Sequence, residues 1–132
     1  MRYIARGNVW MRRRQRKGLR NENNTLGLIE LDRVKRMHYQ EFMDSLDQGT
    51  CPSGLEPCLR ALWYDAKGEW DTAHEIIQQV DDSIASRIHA YLHRKEGDDW
   101  NARYWHKRAG SIFPEKLSLK EEWNSLLRSM LE

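Results

Sequence analysis

The chain reads as all-α: two stacked helical hairpins flanked by an N-terminal and a C-terminal capping helix. Three features lead there. Ala61–Ala73 (ALWYDAKGEWDTA) and Ala90–Ala102 (AYLHRKEGDDWNA) are imperfect copies of one another, 29 residues apart. Ala61 aligns with Ala90, Gly68 with Gly97 and Ala73 with Ala102; an acidic residue follows each glycine, and a tryptophan comes shortly after it (Trp70, Trp100). A repeat in this range marks stacked supersecondary units. Apolar residues also recur every three or four positions, the period of a helix with one buried face. Glycines, prolines and acidic pairs interrupt those stripes where helices would stop and restart.

The elements follow in order. Residues 1–25 carry no sustained stripe, end in Asn21-Glu-Asn-Asn-Thr25, and are expected to form a basic, flexible arm. Leu26–Val34 (LGLIELDRV) suits a short strand or the start of a helix, and helix or irregular structure is favoured because no second strand offers a partner. Residues 26–132 form the single all-helical domain of this reading. Its first capping helix covers 37–47, with Tyr39, Phe42, Met43 and Leu46 on one face. The first repeat unit spans 55–81: a helix from about Glu56 to Ala66, begun by Pro57 and stopped by Gly68, then one from Trp70 to Val80. The second spans 83–114: Ser83 to Lys95, a turn at Gly97, and a helix to Ala109 capped by Asp98 or Asp99. The last capping helix, 118–131, opens with the capping box Ser118-Leu-Lys-Glu121.

Size and charge bound the function. A chain of 132 residues suits one domain and needs no disulfide or metal to hold its core. No apolar run approaches the roughly 20 residues of a membrane span, so no membrane partner is expected. The N-terminus lacks the apolar stretch of a secretory signal, which points to the cytoplasm and to Cys51 and Cys58 as reduced thiols. The net charge of +2 conceals an asymmetry: residues 1–20 hold eight basic residues and no acidic one, leaving the remainder acidic. Such a division concerns partners more than fold.

The segment Gly97-Asp98 … Ala102 … Ala109 … Pro114 resembles a tetratricopeptide repeat, with its loop glycine, helix-B alanines and closing proline. The first unit matches less fully: Gly68 and Ala73 fit, Val80 replaces the later alanine, and no proline follows. The 29-residue offset is shorter than that family's usual 34, and the shortfall lies in the connection between the units. The resemblance covers about residues 55–114 and implies an α-hairpin scaffold that binds rather than catalyses. The runs Leu62–Asp71 and His89–Asp98 are also similar to a group of small, uncharacterised bacterial proteins, a likeness that brings no activity with it. Stacked repeats generally need about three units or caps, so a homodimer would cover whatever the capping helices leave open.

Candidate sites fall into three groups. Trp63, His89, His93, Tyr104 and Arg108, with Asn101, Trp105, Tyr64, Tyr91 and Arg94 beside them, are expected to line a groove for a protein segment or small ligand, since tryptophan, tyrosine and arginine dominate interface energetics; core is the ordinary place for any single tryptophan. Arg12, Arg13, Arg14, Arg16 and Lys17, beside Trp10, suit nucleic-acid phosphates and bases, although a basic run is more often a solvated tail. His89 and His93 stand one turn apart, the spacing of two ligands on one metal, but Ala90 stands where a zincin has glutamate. A third ligand would come from His74, Glu75 or His106; the plainer reading half-buries His89, leaves His93 at the surface and assigns no metal or cofactor. Nucleophile motifs and phosphate-cradling glycine loops are missing. The expectation is a non-enzymatic, cytoplasmic interaction module, with a nucleic-acid-associated protein and a small metal-dependent enzyme at His89/His93 as alternatives.

Overall fold

The computed structural model describes residues 37–131. The expected arm, the Leu26–Val34 segment and the basic residues Arg12, Arg13, Arg14, Arg16 and Lys17 lie outside them. The chain divides into two compact units; of the first, only Met37 and Pro52–Glu56 are described, and all six described helices belong to the second. They are α1 (Tyr39–Gln48), α2 (Pro57–Ala66), α3 (Trp70–Ile77), α4 (Ser83–Lys95), α5 (Asp99–Ala109) and α6 (Leu119–Leu131). The described residues are all-α, with no strand among them.

Local chemistry sets the helix ends. The Asp82 carboxylate accepts from the Ala85 amide at 2.8 Å, and Asp98 accepts from the Asn101 amide at 3.2 Å, each satisfying a first-turn donor that has no partner within the helix. The α6 capping box is complete: the Glu121 amide donates to Ser118 Oγ at 3.0 Å and the Ser118 amide to Glu121 Oε1 at 2.8 Å. The equivalent glycines close α2 and α4 in the same way. Gly68 (φ +82°) and Gly97 (φ +89°) take the left-handed conformation. The following amide then reaches back five residues, Glu69 to Tyr64 O at 2.9 Å and Asp98 to His93 O at 2.8 Å. That backbone is strained for any residue with a Cβ. α3 ends at Ile77, three residues short of the expected Val80. Its last amides, Gln79 and Val80, bond to carbonyls three residues back, which tightens the chain toward Asp82.

Packing is built around α4, which contacts α2, α3, α5 and α6. The most extensive contacts join consecutive helices, α4 with α5 and α2 with α3, each pair connected by a short glycine turn. The repeat's four alanines, Ala61, Ala73, Ala90 and Ala102, have no exposed surface. With only a methyl at those positions, the helix axes can approach closely. Leu62, Ile77, Ile88, Leu92, Leu126 and Leu127 fill the remaining core, together with Phe42. α1 and α6 were expected as caps at opposite ends, yet they meet each other. Tyr39 Oη donates to Asn124 Oδ1 at 2.8 Å, and the Trp123 indole ties α6 to Leu62 O on α2 at 3.2 Å. α5 packs chiefly on α4, and among the described residues no helix covers its outer face.

Several charges are buried within this packing, each with a partner. Asp65, 2 % exposed, accepts from Tyr91 Oη at 2.9 Å and from Lys95 Nζ at 2.9 Å, joining α2 to α4. Burial and the Asp65 carboxylate push the Tyr91 phenol well above its ordinary range, so it stays a donor. Glu122, also buried, accepts from Arg94 Nη1 at 2.7 Å and lies 3.7 Å from His106 Nε2. That nitrogen is the one buried side-chain polar atom among the described residues without a hydrogen-bond partner.

Two substitutions test this framework. Gly97→Ala meets no steric obstacle, since nothing lies within 4 Å of an added Cβ. Only the left-handed backbone penalises it, and urea unfolding should show a loss of about 1–2 kcal/mol. Tyr91→Phe removes one donor from a buried carboxylate and should cost about 1.5–3 kcal/mol in the same measurement.

Candidate functional site

Three helices bring their rings to one place. His89 and His93, one turn apart on α4, lie with ring centroids 5.0 Å apart and planes inclined by 18°. α3 supplies His74, whose Nε2 is 2.9 Å from His89 Nε2. On the far side, Trp105 of α5 stacks on His89 with centroids 3.9 Å apart. Trp70 stacks on His74 at 4.8 Å and donates its indole N–H to Leu92 O at 2.7 Å. The result is a layered aromatic cluster with three imidazoles at its centre. His89 and His93 are buried and His74 is half-buried. Glu96 Oε2 holds His93 Nδ1 at 2.7 Å from the turn that ends α4.

Two of the three rings disfavour positive charge. Burial, reinforced by His74 and His93 nearby, lowers the His89 pKa to about 4. Burial likewise lowers that of His74; His93 adds to the shift, while Glu96 and Asp71 oppose it. At neutral pH His89 is therefore a neutral imidazole. The 2.9 Å contact holds a single proton, donated by one Nε2 and accepted by the other.

A second feature lies on the outer side of α5. Trp100 is 77 % exposed and Tyr104 is 45 % exposed, one turn apart with parallel rings 6.5 Å between centroids. Tyr104 meets Trp105 edge-on at 5.3 Å, and the Arg108 guanidinium lies over Trp105 at 5.2 Å. Arg103 and Lys107 are exposed on the same helix. Trp70 and Trp100 belong to the same repeat yet differ in fate. Trp70 stands two residues after its glycine and Trp100 three, and one extra residue turns a side chain about 100° round the helix.

The five residues expected to line one groove are divided between these places. Trp63 is in the core, 3 % exposed, with its indole donating to Ser45 Oγ at 2.9 Å. His89 and His93 belong to the imidazole cluster, and His93 is buried rather than at the surface. Tyr104 and Arg108 are exposed on α5. Among the candidate third partners, His74 joins the pair, Glu75 is exposed on α3, and His106 is buried beside Glu122. Trp105, named from sequence beside the groove residues, completes the cluster together with Trp70 and Glu96, and the last two were not singled out from sequence. Their only advance signal was helical spacing: Trp70 lies four residues before His74, and Glu96 three after His93.

The His89 shift fixes a pH dependence. A histidine whose folded pKa lies below its unfolded value of about 6.5 binds protons more readily when unfolded. Its neutral-form stability is intact above about pH 6.5 and is lost as pH falls toward 4. In chelator-treated protein, unfolding free energy should fall by on the order of 1–2 kcal/mol across that window. His89→Phe keeps a ring against Trp105 but cannot protonate, and should flatten the slope.

Comparison with known proteins gives no matching family model, no matching curated protein and no matching solved structure.

Proposed function

We propose that this protein is a non-enzymatic, tetratricopeptide-like interaction module that binds a protein segment through the outer face of α5, in the cytoplasm. The exposed pair Trp100 and Tyr104 carries the reading. A tryptophan left 77 % in water is costly unless something covers it, and most large aromatics here are packed away. Beside it stand Tyr104, Trp105 and Arg108, the residue types that concentrate binding energy at interfaces. Lys107 stands exposed beside them, and Arg103 and Arg108 make only exposed pairs with Glu115 and Asp81 that a partner's carboxylates could replace, which suits a segment carrying both aromatic or aliphatic anchors and carboxylates. Of the other residues, His89 supports Trp105 face to face from behind that surface, while Trp63 lies in the core beside Ser45 and takes no part in it. Arg12, Arg13, Arg14, Arg16 and Lys17 lie outside the described residues and add no structural support for nucleic acid.

The reading is tested by selecting peptides from a random displayed library on the full-length chain and measuring their affinity by fluorescence polarisation. The expected outcome is a consensus of apolar anchors with acidic residues. Trp100→Ser should weaken it at least tenfold, as about 1.4 kcal/mol per decade requires, and Arg108→Glu should weaken acidic peptides more than neutral ones. Peptides that bind Trp100→Ser and the parent equally, or a selection that enriches none, would overturn it. Light scattering on the same samples shows whether a second copy of the chain occupies the face instead.

A further inference from the structure

We propose that His74, His89 and His93 form a binding site for a single divalent transition-metal ion of the zinc class, with a fourth position open to solvent. One ring nitrogen from each histidine can be chosen so that all three lie within 4.8 Å of one another. In a tetrahedral site with zinc–nitrogen distances of about 2.0–2.1 Å, ligand nitrogens sit roughly 3.3 Å apart. The His74–His89 pair, at 2.9 Å, is already slightly closer than that. Binding therefore requires ring rotations that turn the near-parallel His89 and His93 rings, inclined by 18°, so that their nitrogens converge with that of His74.

The surroundings match what such a site requires. Glu96 holds Nδ1 of His93 at 2.7 Å, which orients the ring and leaves Nε2 to bind, the arrangement of a carboxylate behind a zinc-bound histidine. Trp70 and Trp105 stack on His74 and His89, limiting the freedom that binding would otherwise have to freeze. Burial holds His89 neutral and also disfavours the charged form of His74, so an ion would meet less competition from protons at those two rings. An all-imidazole set favours zinc, copper, nickel or cobalt over magnesium or calcium, which take oxygen ligands. His74 is half-buried and gives an approach from solvent. A neighbouring trio, His93, Glu96 and Asp98, also lies within 4.8 Å, but its carboxylates are engaged: Glu96 by His93, and Asp98 by Asn101 Nδ2 at 3.0 Å and the Asn101 amide.

The site is separate from the exposed face of α5, and its test does not depend on any peptide. Full-length protein made without an affinity tag and stripped with chelator is titrated with Zn2+ against a chromogenic chelator, and in parallel with Co2+. The expected result is one Zn2+ per chain, together with the strong visible absorption of low-coordinate Co2+. His74→Gln and His93→Gln should each lower affinity at least about tenfold with far-UV circular dichroism unchanged, whereas His38→Gln, remote from the cluster, should leave it unchanged. Should the cluster variants unfold, imidazole nitrogen NMR of the parent protein decides: Zn2+ must shift the His74, His89 and His93 rings and spare His106. No saturable Zn2+ binding, retained affinity in a folded His74→Gln variant, or ring shifts outside the trio would each overturn the proposal.

Discussion

A helix buried on several sides cannot leave its polar groups to water, and α4 is such a helix. It contacts four others, and within its C-terminal half only Leu92 is purely apolar between Tyr91 and Lys95. Tyr91 and Lys95 therefore meet the carboxylate of Asp65, Arg94 meets Glu122, and His93 meets Glu96. These partners come from α2, α6 and the turn after α4, so satisfying one helix fixes the placement of its neighbours. Ion pairs of this kind add little net stability over well-packed apolar residues, but losing one partner leaves an isolated buried charge. They therefore favour one arrangement of the helices over others.

The same constraint brings the imidazoles together. His89 faces the junction of α3 and α5, where no carboxylate is placed against it, and its companions are His74, His93 and Trp105. The ordinary answer to a buried polar ring is a hydrogen bond to backbone or acid. Here the ring is bonded to another imidazole, and burial holds it neutral. The Asp65 and Glu122 networks neutralise charge; the His74–His89 pair disfavours it and keeps nitrogen lone pairs in a confined space. That chemical difference separates a structural network from a candidate ligand site.

The exposed face of α5 has a topological origin. α6 turns back over α2 and α4 and meets α1, so the helix that follows α5 in sequence does not cover it. The repeat gives both units a tryptophan, but Trp100 stands one position later after its glycine, which rotates it away from the place that Trp70 occupies against His74 and Leu92. A shift of one position thus separates a half-buried aromatic from an exposed one.

From sequence alone the helices were legible, with ends within a residue or two for all but α3, because caps and left-handed glycines act over one turn: Asp82, Asp98, Gly68, Gly97 and the Ser118–Glu121 box behave as local chemistry requires. The alanines shared by the repeat were also a sound guide to close packing. His89 and His93 were visible as a pair, since residues four apart share a helix face. Their third companion was one of three candidates, His74, Glu75 and His106, and spacing could not choose among them, because His74 reaches the pair only through the packing of α3 on α4, 15 residues before His89. Nor could spacing tell that Trp63 is core while Tyr104 and Arg108 are exposed: each lies on an amphipathic helix, and which face is covered depends on where α6 goes. Short-range hydrogen bonding is written in neighbouring residues, whereas burial and convergence belong to the assembled helices, and the tertiary structure alone decided them.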